Sequence, residues 1–160
     1  MEHLGVKSKI TAFSFSFEGH RLLVGMECGS VLLLRMGDRL TDMTVLCELG
    51  IGNGSMSGIA WNPCHQDRLL CFSKAVVAVL TCSHETDLEL FSQIDGKNVS
   101  QVQWCPQRPA CLYLLQGHEC IEVCVAKRKA AKVLVCADVG RVLLQASQTR
   151  HELETDIKEN

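Results

Sequence analysis

The densest grouping of metal-ligating and nucleophilic side chains in this sequence is His118-x-Cys120-x3-Cys124, with Cys105 and Cys111 upstream. Thiolates and imidazoles are zinc ligands, and a structural zinc site takes four of them in a tetrahedron, usually as two close-spaced pairs on tight turns. A second such pair is missing, because no C-x2-C occurs anywhere in the chain. If the segment is a strand, Cys120 and Cys124 share a face with Glu122 but lie about 13 Å apart, too far to hold one ion. No metal and no cofactor is therefore expected. Glu119 beside His118, and Pro63-Cys64-His65 elsewhere, match only fragments of the H-x-E and P-C-x-x-C elements of zinc deaminases.

Nucleophilic catalysis needs a Cys or Ser beside a His base that a carboxylate orients. Cys82, His84, Glu85 and Asp87 supply the residue types, but all fall in one short connector, "TCSHETD", which reads as an exposed turn. No G-x-S-x-G, G-x4-G-K or G-x-G-x-x-G motif is present. The Gly-rich stretch "GIGNGSMSG" at 50–58 has no Lys or Arg and precedes a strand pattern rather than a helix N-terminus, where anion binding has its dipole. It reads as a flexible connector. Lys127, Arg128, Lys129 and Lys132 form the one basic cluster. A nucleic-acid-binding sheet would interleave aromatics with such charges; here "AKRKAAK" reads as a solvated turn. No catalytic, cofactor-binding or metal residue is assigned.

The elements that would position these groups show a repeat. Thr11–Ser16 (TAFSFS), Ser57–Asn62 (SGIAWN) and Ser100–Cys105 (SQVQWC) each set an apolar residue and an aromatic two apart, which is strand periodicity. Phe15, Trp61 and Trp104 recur at intervals of 46 and 43 residues. A turn-like interval follows each aromatic, then a second apolar segment: "RLLVG" at 21, "RLLCF" at 68, "CLYLL" at 111. That is the pattern of a hairpin. Third strands are expected at 30–36, 75–82 and 120–126, and weaker fourth ones at 43–49, 87–94 and 131–137. Four short strands in roughly 40–45 residues, repeated in tandem, are the signature of a β-propeller blade. A β-sandwich also has turns at regular spacing, but it does not require the aromatic at the same place in every unit.

With these features the chain resembles the WD-repeat family over residues 8–137. "ITAFSFS", "SGIAWNP" and "VSQVQWCP" match the first-strand pattern, and "ECGSVLLLR" has the acidic-Gly turn leading into a third strand. The family's Trp-Asp dipeptide is absent: Leu34-Arg35, Leu80-Thr81 and Cys124-Val125 stand in its place. Gly19-His20 and Gly117-His118 lie inside hairpins instead of before a first strand, so the blades are divergent. The resemblance implies an all-β partial propeller of about three four-stranded blades, acting as a non-catalytic protein-interaction scaffold with other proteins as partners. Large cilia- and flagella-associated WD-repeat proteins have Cys-rich blades of this style, which implies a ciliary or cytoskeletal assembly. The competing class is a thiol-dependent hydrolase or a small zinc-binding protein.

The expected organisation is WD-like repeats over 1–140, at about 8–50, 51–95 and 96–140, and a polar tail at 141–160 in which Leu153 and Ile157 allow a short helix. Propellers close with typically 4 to 8 blades. Three blades leave two open ends, so completion by self-association or by a longer parent chain is expected. Lys and Arg number 16 against 18 Asp and Glu, with no long run of like charge, and neither nucleic acid nor membrane is expected as a partner. No segment resembles a signal peptide, and the longest apolar runs fall far short of the roughly 20 residues that span a bilayer. A cytoplasmic protein is expected, with its ten cysteines reduced and used mainly as small hydrophobes inside strands.

Overall fold

A computed structural model describes residues 8–39, 41–127 and 130–138, with side chains described as far as Val125. Within them the chain forms twelve strands in three four-stranded antiparallel sheets, each a simple meander in sequence order. The first comprises β1 (Ile10–Phe15), β2 (Arg21–Met26), β3 (Ser30–Met36) and β4 (Met43–Gly50). The second comprises β5 (Gly58–Trp61), β6 (Arg68–Phe72), β7 (Val76–Ser83) and β8 (Asp87–Asp95). The third comprises β9 (Val99–Trp104), β10 (Cys111–Gln116), β11 (Glu119–Lys127) and β12 (Ala130–Asp138). The fold class expected from the repeat is the one observed, weak fourth strands included. The proposed C-terminal helix and the charges of Arg128 and Lys129 lie outside the described residues.

The sheets stack face to face as blades. Leu23, Val31 and Leu33 of blade 1 pack on Leu69, Cys71, Ala78 and Leu80 of blade 2. The alternate residues of blade 2, Leu70, Phe72, Val77 and Val79, pack on Val102, Trp104, Leu112 and Leu114 of blade 3. Blade 2 is covered on both faces, so its central strands read as continuous apolar runs instead of alternating ones. The innermost strands β1, β5 and β9 stand side by side.

Turn chemistry sets the registers. Gly117 has φ 60 and heads the two-residue turn between Gln116 and Glu119, the position that favours glycine in such a turn. His84 and Glu85, at φ 50 and 61, form the β7–β8 turn, closed by the Thr86 N–H on the Ser83 carbonyl at 3.2 Å. At Gly29, φ 88, any Cβ would strike the carbonyl oxygen of Gly52, so the Gly-rich connector between blades 1 and 2 is held against the β2–β3 turn. That connector also delivers Met56, which is fully buried between the two blades.

One irregularity recurs three times. The pairing of the third and fourth strands slips between Leu33 and Leu34, between Val79 and Leu80, and between Glu122 and Val123. The extra residues on the outer strands are Leu46, Phe91 and Leu134, at nearly the same interval as the aromatic repeat. Such bulges increase local strand twist. Leu46 and Phe91 turn back onto the inter-blade clusters.

Candidate functional site

The aromatic repeat is a stitch between blades. The Trp61 indole N–H donates to the Ser14 carbonyl at 3.3 Å, and the Trp104 indole N–H donates to the Ala60 carbonyl at 3.4 Å. In each case the acceptor is the residue just before the aromatic of the preceding blade. Asn62 continues the series in the other direction. Its Nδ2 donates to the Pro109 carbonyl of blade 3 at 2.8 Å, while its Oδ1 accepts the main-chain N–H groups of Cys64 and His65 at 2.8 and 3.0 Å.

In blade 1 the same positions have no covering blade among the described residues. Val102 and Trp104 are 5% and 7% exposed, whereas their counterparts Phe13 and Phe15 are 66% and 47% exposed. A residue at the aromatic position of the repeat is buried only where a neighbouring blade packs on it. The two rings meet edge to face at 6.2 Å between centroids, and Phe17, in the turn two residues beyond the same strand, is 91% exposed. Opposite them across the ladder stand Val24 and Leu22, and beyond these Leu32 and Leu34; Val24, Leu32 and Leu34 are buried, so the exposed apolar surface of blade 1 is confined to its β1 margin. Phe17 also lines a cleft of about 130 Å³ between blades 1 and 2 with Glu18, Arg21, Trp61 and Asn62. Inside it the Arg21 guanidinium lies 4.9 Å from the Trp61 ring centroid and donates to the Cys82 Sγ at 3.4 Å.

The candidate nucleophile group does not assemble as the sequence suggested. Cys82 is a buried member of β7, turned to Arg21 of blade 1, while His84 is exposed in the turn beyond it. Alternation along β7 puts Cys82 on the inter-blade face, while His84, Glu85 and Asp87 are exposed as the connector reading expected. Burial raises the Cys82 thiol above its ordinary range, against a smaller opposing effect of Arg21. Burial also pushes Cys71 up to about 12. Cys28, exposed, is lowered by hydrogen bonds from the Ser30 and Ser8 hydroxyls. His118 and Glu119 are exposed at the β10–β11 turn, and among the described residues no three His, Cys, Asp or Glu side chains converge in a way that would hold a metal.

Blade 3 brings together groups the sequence leaves scattered. On the face turned away from blade 2, Cys105, Cys111 and Cys124 lie in a row across β9, β10 and β11: the Cys105 N–H donates to the Cys111 carbonyl at 3.0 Å, and Cys111 pairs with Cys124. Next in register come Tyr113 and Glu122. Arg108, from the β9–β10 loop, covers this end of the row. Its Nη1 lies 2.5 Å from Glu122 Oε1, off the line of a well-aligned hydrogen bond, and its Nη2 donates to the Tyr113 hydroxyl at 3.0 Å. Glu122 is only 5% exposed, and Arg108 supplies its counter-charge. For Cys105, burial pulls the thiol upward, but hydrogen bonds from the Gln107 and Arg108 backbone, Tyr113 and the Arg108 side chain together lower it. Neither Arg108 nor the exposed Phe17 stood out in the sequence, because both lie in loops without a motif.

No family model matches the sequence, and no curated protein matches it either. The fold does match solved structures. The β-propeller domain of Cps50 (Swd1) from Myceliophteria thermophila superposes with a TM-score of 0.67 at 14% identity, over 82% of this chain and 44% of that one. The WD40 domain of Toxoplasma gondii coronin superposes with a TM-score of 0.69 at 17% identity, over 82% of this chain and 34% of that one. A protein of Bacteroides uniformis provisionally named a 6-phosphogluconolactonase gives 0.68 at 13% identity, over 82% and 41%. The chain thus spans less than half the length of the propellers it matches. Its fold is that of three consecutive, divergent blades of a β-propeller of the kind found in WD40 domains.

Proposed function

We propose that this chain is a non-catalytic protein-interaction scaffold whose exposed β1 margin on blade 1 takes a further propeller blade, and that it serves in a cytoplasmic assembly of ciliary or cytoskeletal type. The observation that carries the reading is the contrast at equivalent positions: Phe13 and Phe15 lie open where Val102 and Trp104 are covered by the preceding blade. A further blade would cover these two rings as blade 2 covers Val102 and Trp104, and a ring of 4 to 8 blades needs at least one more. The buried thiols favour a scaffold over a thiol enzyme. Burial raises Cys47, Cys71, Cys82 and Cys111, whereas a nucleophilic Cys needs a lowered pKa and access; Cys28 has both, but the groups that lower it are the Ser30 and Ser8 hydroxyls and not a His base. Likeness to the Bacteroides uniformis protein, at 13% identity, supports a shared fold and no shared chemistry. The Cys-rich, divergent blades support the ciliary or cytoskeletal setting through the family resemblance, and thiols used as core hydrophobes, such as the fully buried Cys71, suit a reducing cytoplasm.

The test is light scattering after gel filtration on the chain and on Phe13→Asp/Phe15→Ser. The wild-type chain is expected to self-associate at micromolar concentration. The double variant should run smaller with an unchanged thermal transition, because its side chains touch little within the chain. A monomeric wild-type chain with a cooperative transition, indistinguishable from the variant, would overturn this reading.

A further inference from the structure

We propose that Cys111 and Cys124 form a redox-active dithiol that closes to a disulfide across β10 and β11. The two residues face each other directly in the antiparallel ladder. The Val125 N–H donates to the Ala110 carbonyl at 2.8 Å, so the 110–125 pair is hydrogen-bonded and the adjoining 111–124 pair is not. In an antiparallel sheet the non-hydrogen-bonded pair brings the Cα atoms to about 4.5 Å with the side chains closest, within the span a disulfide bridges. The thiol of Cys124 already bears on that of Cys111, by charge and as a hydrogen-bond partner.

The other cysteines of the blade are less well placed. Cys105 and Cys111 are joined by a main-chain hydrogen bond, so they belong to the wide class of pair, with Cα atoms about 5.5 Å apart and side chains further from each other. Cys120 faces Leu115 and lies about 13 Å along the strand from Cys124. Access is also graded: Cys124 is half-buried and Cys111 buried, which makes Cys124 the entry point.

A low-molecular-weight disulfide is the oxidant. Cys124 gives up its proton, and its thiolate attacks one sulfur of the small disulfide, forming a mixed disulfide and expelling one small thiolate, which takes up that proton. The Cys111 thiolate then attacks the Cys124 sulfur and expels the second small thiolate, which takes up the Cys111 proton. Two cysteine thiols are oxidised by two electrons, and one small disulfide becomes two thiols. The product ties the middle strands of blade 3 together on the face turned away from blade 2. This inference stands on the ladder register and not on how the ring is completed.

The experiment treats the full chain with oxidised glutathione, alkylates the remaining thiols and maps them by mass spectrometry. Cys111 and Cys124 are expected to lose alkylation together, in a peptide lighter by two hydrogens. Cys111→Ser should leave Cys124 as a glutathione mixed disulfide, and the pairing should lose its selectivity in denaturant. A Cys105–Cys111 or Cys120–Cys124 bond would overturn the proposal. So would free alkylation of Cys111 and Cys124 under conditions that glutathionylate the exposed Cys28.

Discussion

The Trp104 indole N–H reaches back 3.4 Å to the Ala60 carbonyl one blade earlier, as Trp61 reaches Ser14. The ring fills the inter-blade core while its one polar atom meets a main-chain acceptor. Blade stacking thereby acquires a direction: each blade is stitched to the one before it. Phe15, which heads the series, has no N–H to donate.

Trp104→Phe should therefore destabilise the chain by about 1–3 kcal/mol, from the lost hydrogen bond and the reduced volume. Phe15→Trp should be close to neutral, since that ring is 47% exposed. Denaturant midpoints of the two variants measured beside the wild type check the contrast. Equal losses would mean that the stitch contributes nothing beyond ring size.

Asn62 joins a local turn to the next blade through three hydrogen bonds from one buried side chain. Asn62→Ala leaves the Pro109 carbonyl and two N–H groups short of partners and should cost about 2–3 kcal/mol. Asn62→Asp keeps the turn acceptors but has no N–H for Pro109. It should fall between alanine and wild type in thermal unfolding, with proteolysis appearing first in the β9–β10 loop.

Glu122 is buried and Arg108 is its only cationic partner among the described residues. Arg108→Gln strands a carboxylate out of water, whereas Arg108→Gln/Glu122→Gln removes the charge as well. The single variant is expected to unfold at lower temperature than the double variant at neutral pH.

Cys71, pushed up to about 12 from 9.0, stays protonated in the folded chain where an unfolded chain would release its proton. Between pH 9 and 12 the native state thus binds more protons than the unfolded state, and stability falls as the pH rises. Below pH 9 this thiol makes no difference. Relative to Cys71→Ala, the wild-type chain should lose up to about 1.4 kcal/mol per pH unit in that window, as chemical denaturation at a series of pH values would measure.

Strand content and the threefold repeat were legible in the sequence because both are local properties. A strand shows each side chain to alternate faces, so an apolar residue and an aromatic two apart must share a face in all three units. Blade 2 was equally readable, since burial on both faces leaves "RLLCF" and "AVVAVL" as unbroken apolar runs. The chemistry was less so. Cys82 stood both at the end of the expected 75–82 strand and in the connector, and only the stacking of blade 1 on blade 2, which sets Arg21 against it, puts it in the core. Arg108 and Glu122 lie fourteen residues apart with no motif between them, and the folded β9–β10 loop brings them into contact.

The sequence by itself determined that this chain would be an all-β array of three similar units, because strand periodicity depends on the order of side chains alone. The tertiary structure decided the rest: which aromatics are covered, which carbonyl each indole meets, and which two of the ten cysteines stand opposite one another. Those are relations between residues distant in sequence, set by hairpin register and blade stacking, and no local pattern encodes them.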